Sequence, residues 1–233
     1  MITLILATRN KHKVGEIRAI LEPTCRCLTL EDPDQPPVKE DAVTFAGNAS
    51  KKTVSLANYV LSSRTDDYFF ERTAPVFALA DDSGLEVDAL NGAPGVHSAR
   101  FAALDSAKGG NSPDADNNQK LLGLLKDVPE EKRTARFRCV LALAPLVWSH
   151  LKSASPVCYA DEVELQVELF EGVCEGRILL EPQGAAGFGY DPLFVPTGYD
   201  LSFAELGEAE KNRLSHRAKA LEKLKHYLES VRQ

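Results

Sequence analysis

The residues best suited to chemistry lie where an apolar run meets acid. Val76 to Ala80 reads as a buried strand, and it leads directly into Asp81, Asp82, Ser83 and Gly84. Carboxylates are costly to bury unless they are paired or bind a cation. Side chains alternate across a strand, so the two aspartates are expected to face opposite ways, one structural and one open to a metal ion. A glycine turn and a second apolar stretch are expected to follow, giving a strand pair around 76–90.

Basic groups come from distant parts of the chain. Thr8, Arg9, Asn10, Lys11, His12 and Lys13 sit between an apolar run and a helical pattern. A helix start offers unpaired N–H groups and a positive dipole end, so Thr8, Asn10 and Lys13 can cradle an anion such as a triphosphate. A solvated basic loop is the plainer reading, and the glycines of a Walker loop are missing. Glu40 and Asp41 precede a helix carrying Asn48 and Lys52. Acids there often serve only the helix dipole, but Glu40 with Asp82 also supplies the one or two carboxylates that Mg²⁺ prefers.

Two further groups lie near the C-terminus. In Gly187-Phe188-Gly189-Tyr190-Asp191-Pro192, the glycines permit positive φ or close approach, a purine can stack on Phe188, and Asp191 can accept from a base edge. A tight turn around a buried Phe fits equally well. In Lys211 to Arg217, Ser215 is a plausible N-cap, which puts His216 and Arg217 in a first helical turn where cations are unfavourable. That conflict points to a ligand contacted by Lys211, His216 and Arg217, against the alternative of an exposed charged turn.

The elements that must position these groups follow from periodicity. Strands are expected at 2–8, 25–30, 134–148, 157–171 and 173–180, and helices at about 10–21, 42–61 and 117–125. Ser202 and Glu205 form a capping box for a short helix. Leu214, Ala218, Leu221, Leu224, Leu228 and Val231 mark the final helix. Pro23, Pro33, Pro36 and Pro37 punctuate the first third. Residues 62–74 are polar, and 105–118 read as a loop. The order argues for an α/β fold with a mixed sheet.

Composition narrows the function classes. The 233 residues are 44% hydrophobic and 26% charged, with a formal net charge of −7. Nucleic acid is a poor partner for such an acidic chain. No apolar run approaches the length of a membrane span, and Ile2 to Ala7 lacks a basic leader, so it reads as a core strand. Cys25, Cys27, Cys139, Cys158 and Cys174 show no zinc spacing. They read as free thiols in a reducing compartment, with a Cys25–Cys27 redox pair as the alternative.

Taken together, the stretches LATRNKHKVGEIRAIL, EDAVTFAGNASKKT, ALADDSGLEVDALNGAPGVHSARFA, ARFRCVLAL, GFGYDPLF and AELGEAEKNRLSHRAKAL resemble the inosine triphosphate pyrophosphatase family, in order over nearly the whole chain. The resemblance implies Mg²⁺-dependent hydrolysis of non-canonical purine triphosphates (ITP, dITP, XTP) to monophosphate and pyrophosphate, cleansing the nucleotide pool. It implies one domain over 1–233, elongated, with a mixed central sheet flanked by helices and two lobes enclosing an active-site cleft. It also implies a cytoplasmic homodimer.

By position, Asp82 is similar to the family's general base and metal ligand, and Glu40 to its second metal ligand. Thr8, Arg9, Asn10, Lys11, His12, Lys13, Lys52, Ser83, Phe188, Gly189, Tyr190, Asp191, Lys211, His216 and Arg217 are similar to its substrate contacts. The chain departs from the family pattern at Gly47 (usually Glu), at Ala42 (usually Gly), at Arg9 and His12, and in longer stretches near 62–74 and 146–158. The rival readings are a septum-inhibitor-like pyrophosphatase for modified pyrimidine nucleotides and a non-catalytic nucleotide-binding regulator.

Overall fold

The computed structural model describes residues 1–22, 24–30, 37–62, 75–105, 110–146, 157–160 and 163–231, with backbone only for 157–160 and 163–164. Pro23, Pro33, Pro36, nearly all of 62–74 and 146–158, and the Cys158 side chain therefore lie outside the described residues.

Among the described residues, eight strands and five α-helices follow the expected α/β order. They are β1 (Ile2–Leu6), α1 (Lys11–Leu21), β2 (Cys25–Thr29), α2 (Phe45–Ser62), β3 (Val76–Val87), α3 (Asp114–Leu125), β4 (Thr134–Pro145), β5 (Val157–Ala160), β6 (Val163–Gln166), β7 (Glu168–Ile178), β8 (Phe194–Pro196), α4 (Phe203–Leu214) and α5 (His216–Val231). A six-stranded sheet has the order β2-β1-β3-β4-β7-β8. It is mixed: β1 runs parallel to both β2 and β3, with Leu4 opposite Cys27 and Phe77, and β7 is antiparallel to β8. β5 and β6 form a separate antiparallel pair.

The chain divides into two compact units, residues 1–82, 140–170 and 220–233 in the first and 83–139 and 171–219 in the second. In the first unit, β1 is buried at every position, as a strand paired on both sides requires. Cys25 and Cys27 are buried on β2 while Arg26 between them is exposed. Phe45, Ala49, Leu56 and Val60 recur at helical spacing on α2 and are buried. Leu56, Ala57 and Val60 pack with Ile5, Val76, Ala78 and Leu146. In the second unit, Leu85, Val87, Phe101, Leu121, Phe137, Tyr190, Phe194 and Phe203 form the core. The Arg133 guanidinium, buried, donates to the carbonyls of Leu125, Val128 and Leu179 and so satisfies the end of α3.

Several boundaries differ from the sequence expectation. β3 continues through Ser83-Gly84 to Val87 with no turn at the glycine; the chain bends only at Asp88–Leu90, a single 3₁₀ turn. α3 starts at Asp114, inside the expected loop, because Pro113 can precede a helix and Asp114 and Asp116 suit its positive end. The expected strand over 157–171 is instead the β5–β6 hairpin followed by β7, which continues to Ile178 without a break at Gly172. Leu214 ends α4 rather than opening α5, and Val231 is exposed. The capping box at Ser202 and Glu205 is formed, and α4 is broken within by Gly207 at φ 80°. Among the described residues no helix is long and apolar enough to cross a membrane.

Leu56 is fully buried. Leu56→Ala is expected to lower unfolding free energy by about 2–5 kcal/mol, measured by urea titration, because truncation loses transfer energy and leaves a cavity.

Candidate active site

The first group of candidate residues converges on Asp81 and Asp82, midway along β3 and within the first unit. Asp81 and Asp82 are both buried, and each has its own lysine. Lys13, from the first turns of α1, bonds Asp81 at 2.5 Å. Lys52, from α2, bonds Asp82 at 2.8 Å and reaches Glu40 at 3.6 Å. Asn48, one turn before Lys52, donates to the other Asp82 oxygen at 3.2 Å and accepts from the Ala42 N–H at 3.0 Å. The expected division into one structural and one open carboxylate therefore changes: alternation along the strand sends the pair to different lysines.

The electrostatics of Asp82 and Lys52 are set by burial and by each other's charge. Burial pushes the Asp82 carboxyl above the ordinary aspartate range, although Lys52 and Lys13 pull it down. Burial pulls Lys52 down, but the charges of Asp82 and Glu40 outweigh it and leave Lys52 above the usual ammonium value. At Asp82 burial outweighs the pull of the two lysines. Among the described residues there is no group of three or more His, Cys, Asp or Glu that could hold a metal ion. A site at Asp82 and Glu40 is confined to the two-carboxylate kind that Mg²⁺ completes with water and phosphate oxygens.

The basic loop is partly self-satisfied. Asn10 caps α1, its side-chain oxygen accepting from His12 N–H at 3.0 Å and Lys13 N–H at 3.1 Å. Two of the N–H groups expected to face an anion are therefore already bonded. The Thr8 hydroxyl accepts from Asn10 N–H, and Arg9, Lys11 and His12 are exposed.

The second group lies within the second unit. Lys211 is 3% exposed, bonds Asp191 at 2.6 Å and stands 4.3 Å from the Phe188 ring centre. The same Asp191 oxygen accepts from Phe188 N–H at 2.9 Å. Gly187 has φ 80° and Gly189 φ 64°, as the sequence anticipated. A Cβ at Gly187 would lie 2.2 Å from the Asp191 oxygen, so only glycine leaves room for that carboxylate. Tyr190 is buried in the core rather than presented outward; its hydroxyl donates to Ser98 C=O at 3.0 Å, and burial pushes its pKa well up.

Ser215 caps α5 through Ala218 N–H, which places His216 and Arg217 in the first turn as expected. Both are buried: His216 stacks on Phe137 at 4.8 Å, and Arg217 donates to the Ser83 hydroxyl at 2.8 Å.

Asn48 and Asp81 carry no site role of their own in the sequence reading; the structure places Asn48 on Asp82 and Asp81 on Lys13. The i, i+4 spacing of Asn48 and Lys52 on one helix was the available signal. The departures at Ala42 and Gly47 meet in space: a Cβ at 47 would lie 2.8 Å from Ala42 Cβ. The contacts of Asp82 form without a side chain at 47. Cys25 and Cys27 are free and buried, and burial pushes the Cys27 thiol up to about 12, which leaves a redox pair without a reactive thiolate there.

The Ham1 family pattern matches residues 4–227. The chain belongs to the Ham1 family. Two relatives are the dITP/XTP pyrophosphatase of Desulforamulus reducens, 45% identical over 94% of this chain and 92% of that protein, and that of Geobacter sulfurreducens, 44% identical over 98% and 97%. Among solved structures, the HAM1 protein of Coxiella burnetii aligns with TM-score 0.73 at 34% identity, covering 99% of this chain and 100% of that one. The nucleoside-triphosphatase, dITP/XTP pyrophosphatase of Mycobacterium abscessus aligns at 0.65 and 34% identity, covering 95% and 98%. The Ham1 assignment bears out the family resemblance read from the motifs.

Gly187→Ala is expected to displace Asp191 and break its bonds to Lys211 and Phe188 N–H. Nucleotide affinity is expected to fall at least about tenfold in steady-state KM, with roughly 1–3 kcal/mol lost from stability through the positive φ.

Proposed function

We propose that this protein is a nucleoside triphosphate pyrophosphatase acting on non-canonical purine nucleotides, dITP, ITP and XTP, and releasing pyrophosphate. The observation that carries the chemistry is Asp82: a buried carboxylate bonded by Asn48 and by Lys52, the lysine that also reaches Glu40. The Ham1 membership and the names of its relatives support the substrate class.

Asp82 and Glu40 are the residues that would hold Mg²⁺, which when bound supplies charge neutralisation at phosphate oxygens. Asp82 orients a water for in-line attack on the α-phosphorus and takes up its proton; the bond from that phosphorus to the bridging oxygen breaks, and pyrophosphate leaves. Lys13 and Lys52 offset the negative charge that spreads over the phosphates, with Thr8, Arg9, Asn10, Lys11 and His12 beside them in sequence as further substrate contacts. Asp81 holds Lys13 in place.

In the second unit, Phe188 is the stacking face for the purine, flanked by Gly189, Tyr190 and Asp191. Lys211 belongs with this group, since its partners are Asp191 and Phe188. His216, Arg217 and Ser83 supply polar groups for the base edge. A 6-oxo group accepts from such donors, whereas the 6-amino group of adenine leaves them unpaired, at a cost of a few kcal/mol. A cytoplasmic setting fits the buried cysteines Cys25, Cys27 and Cys174, which form no disulfide. The homodimer rests on the family resemblance.

With Mg²⁺, purified protein is expected to release pyrophosphate from ITP, dITP and XTP at least about a hundredfold more efficiently than from ATP; equal rates on ATP, or selectivity for pyrimidine nucleotides, would overturn the substrate assignment. Asp82→Asn is expected to stay folded by circular dichroism, bind ITP and lose turnover by about 10²–10⁴-fold.

A further inference from the structure

Ser98, Asp114 and Asn118 have no part in the proposed chemistry, yet each bonds the loop that carries Phe188. Gly189 is held at both ends of its backbone. Its N–H donates to Asp114 Oδ2 at 2.6 Å, and its C=O accepts from Asn118 Nδ2 at 3.0 Å. Asp114 and Asn118 are one turn apart on α3 and so grip a single residue from one helix face. The next residue, Tyr190, is tied to Ser98 C=O at 3.0 Å.

The grip is itself anchored. Asn117 accepts from Ala102 N–H at 2.8 Å, Lys120 donates to Phe101 C=O at 2.8 Å, and the Ser112 hydroxyl accepts from Ala103 N–H at 2.8 Å. Ser98 accepts from Leu85 N–H at 2.9 Å, just beyond Ser83 on β3. Asp114 stands in the first turn of α3, where a carboxylate can serve the helix dipole, yet it also bonds a distant backbone N–H.

We propose that Asp114 and Asn118 are positioning residues for purine recognition. They lock the Gly189 peptide, and with it the plane of Phe188 above Lys211, before nucleotide arrives. The locked ring loses no conformational entropy on stacking a base, so the clamp acts on affinity for the base and not on the phosphates. This inference rests on the reading of Phe188 as the base platform.

The test compares KM for ITP with the inhibition constant of inorganic triphosphate, which has no base, in Asp114→Ala, Asn118→Ala and Phe188→Ala. Asp114 is exposed, so its truncation leaves the core intact. Both clamp variants are expected to raise KM for ITP about tenfold, the effect of losing a charged or buried hydrogen bond, with kcat and the triphosphate constant changed less than about twofold. Asp114→Asn keeps an acceptor and is expected to retain near-native KM. Asn118→Asp keeps the shape without the donor and is expected to behave like Asn118→Ala. If Phe188→Ala raises KM for ITP and the clamp variants do not, the clamp is wrong while the platform stands. If the clamp variants weaken ITP and triphosphate equally, Asp114 and Asn118 are merely structural. If Phe188→Ala leaves KM unchanged, the platform fails and the clamp's role in recognition fails with it.

Discussion

Two adjacent carboxylates buried in the middle of a central strand set the terms for the first unit of this molecule. Asp81 and Asp82 stand on β3 where solvent cannot stabilise them, and an uncompensated charge there would cost several kcal/mol. Compensation comes from α1 and α2, each of which delivers one lysine. The Asn10 cap fixes where α1 begins and hence where Lys13 falls. The apolar stripe of α2 turns Lys52 and Asn48 toward Asp82. Sheet order and helix register are thereby tied to one electrostatic requirement. Asp82 and Glu40 meet at Lys52, and that pairing of carboxylates is the basis for proposing a cation there.

The second unit solves a different problem. Its candidate ligands are held by polar contacts among themselves: Lys211 with Asp191, Asp191 with Phe188 N–H, Arg217 with Ser83. Such pre-formed networks suit recognition, because a rigid set of donors rejects a base that cannot satisfy them. Its aromatic core, Phe137, Phe194 and Phe203, packs ring on ring, and His216 stacks on Phe137 within it. The residues proposed for recognition are extensions of the core, which explains why so many polar side chains in the second unit are buried.

Much of this was legible in the sequence, for reasons that can be named. Asn10 before a helical pattern, Ser202 with Glu205, and Ser215 before His216 are local signals, and each forms as read. The adjacent acids on β3 and the glycines around Phe188 were visible because residue type alone constrains their chemistry. What escaped depends on pairing at a distance. Gly84 looks like a turn in isolation but is held straight within the strand. Nothing local assigns Lys13 to Asp81, or reveals that Asn10 consumes N–H groups otherwise free for an anion. Tyr190 looks like part of the ligand-facing group, whereas its ring fills the core. The boundary of α3 was missed because Asp114 reads equally well as loop or first turn.

The central claim is that the carboxylate of Asp82, with that of Glu40, is the seat of a catalytic cation. The most direct measurement is anomalous scattering from crystals grown with Mn²⁺, a stand-in for Mg²⁺, and a non-hydrolysable ITP analogue. The account predicts a single strong peak at about 2.1 Å from an Asp82 oxygen, with Glu40 as a direct or water-bridged ligand. A nucleotide-bound crystal with its Mn²⁺ peak away from both carboxylates would contradict it.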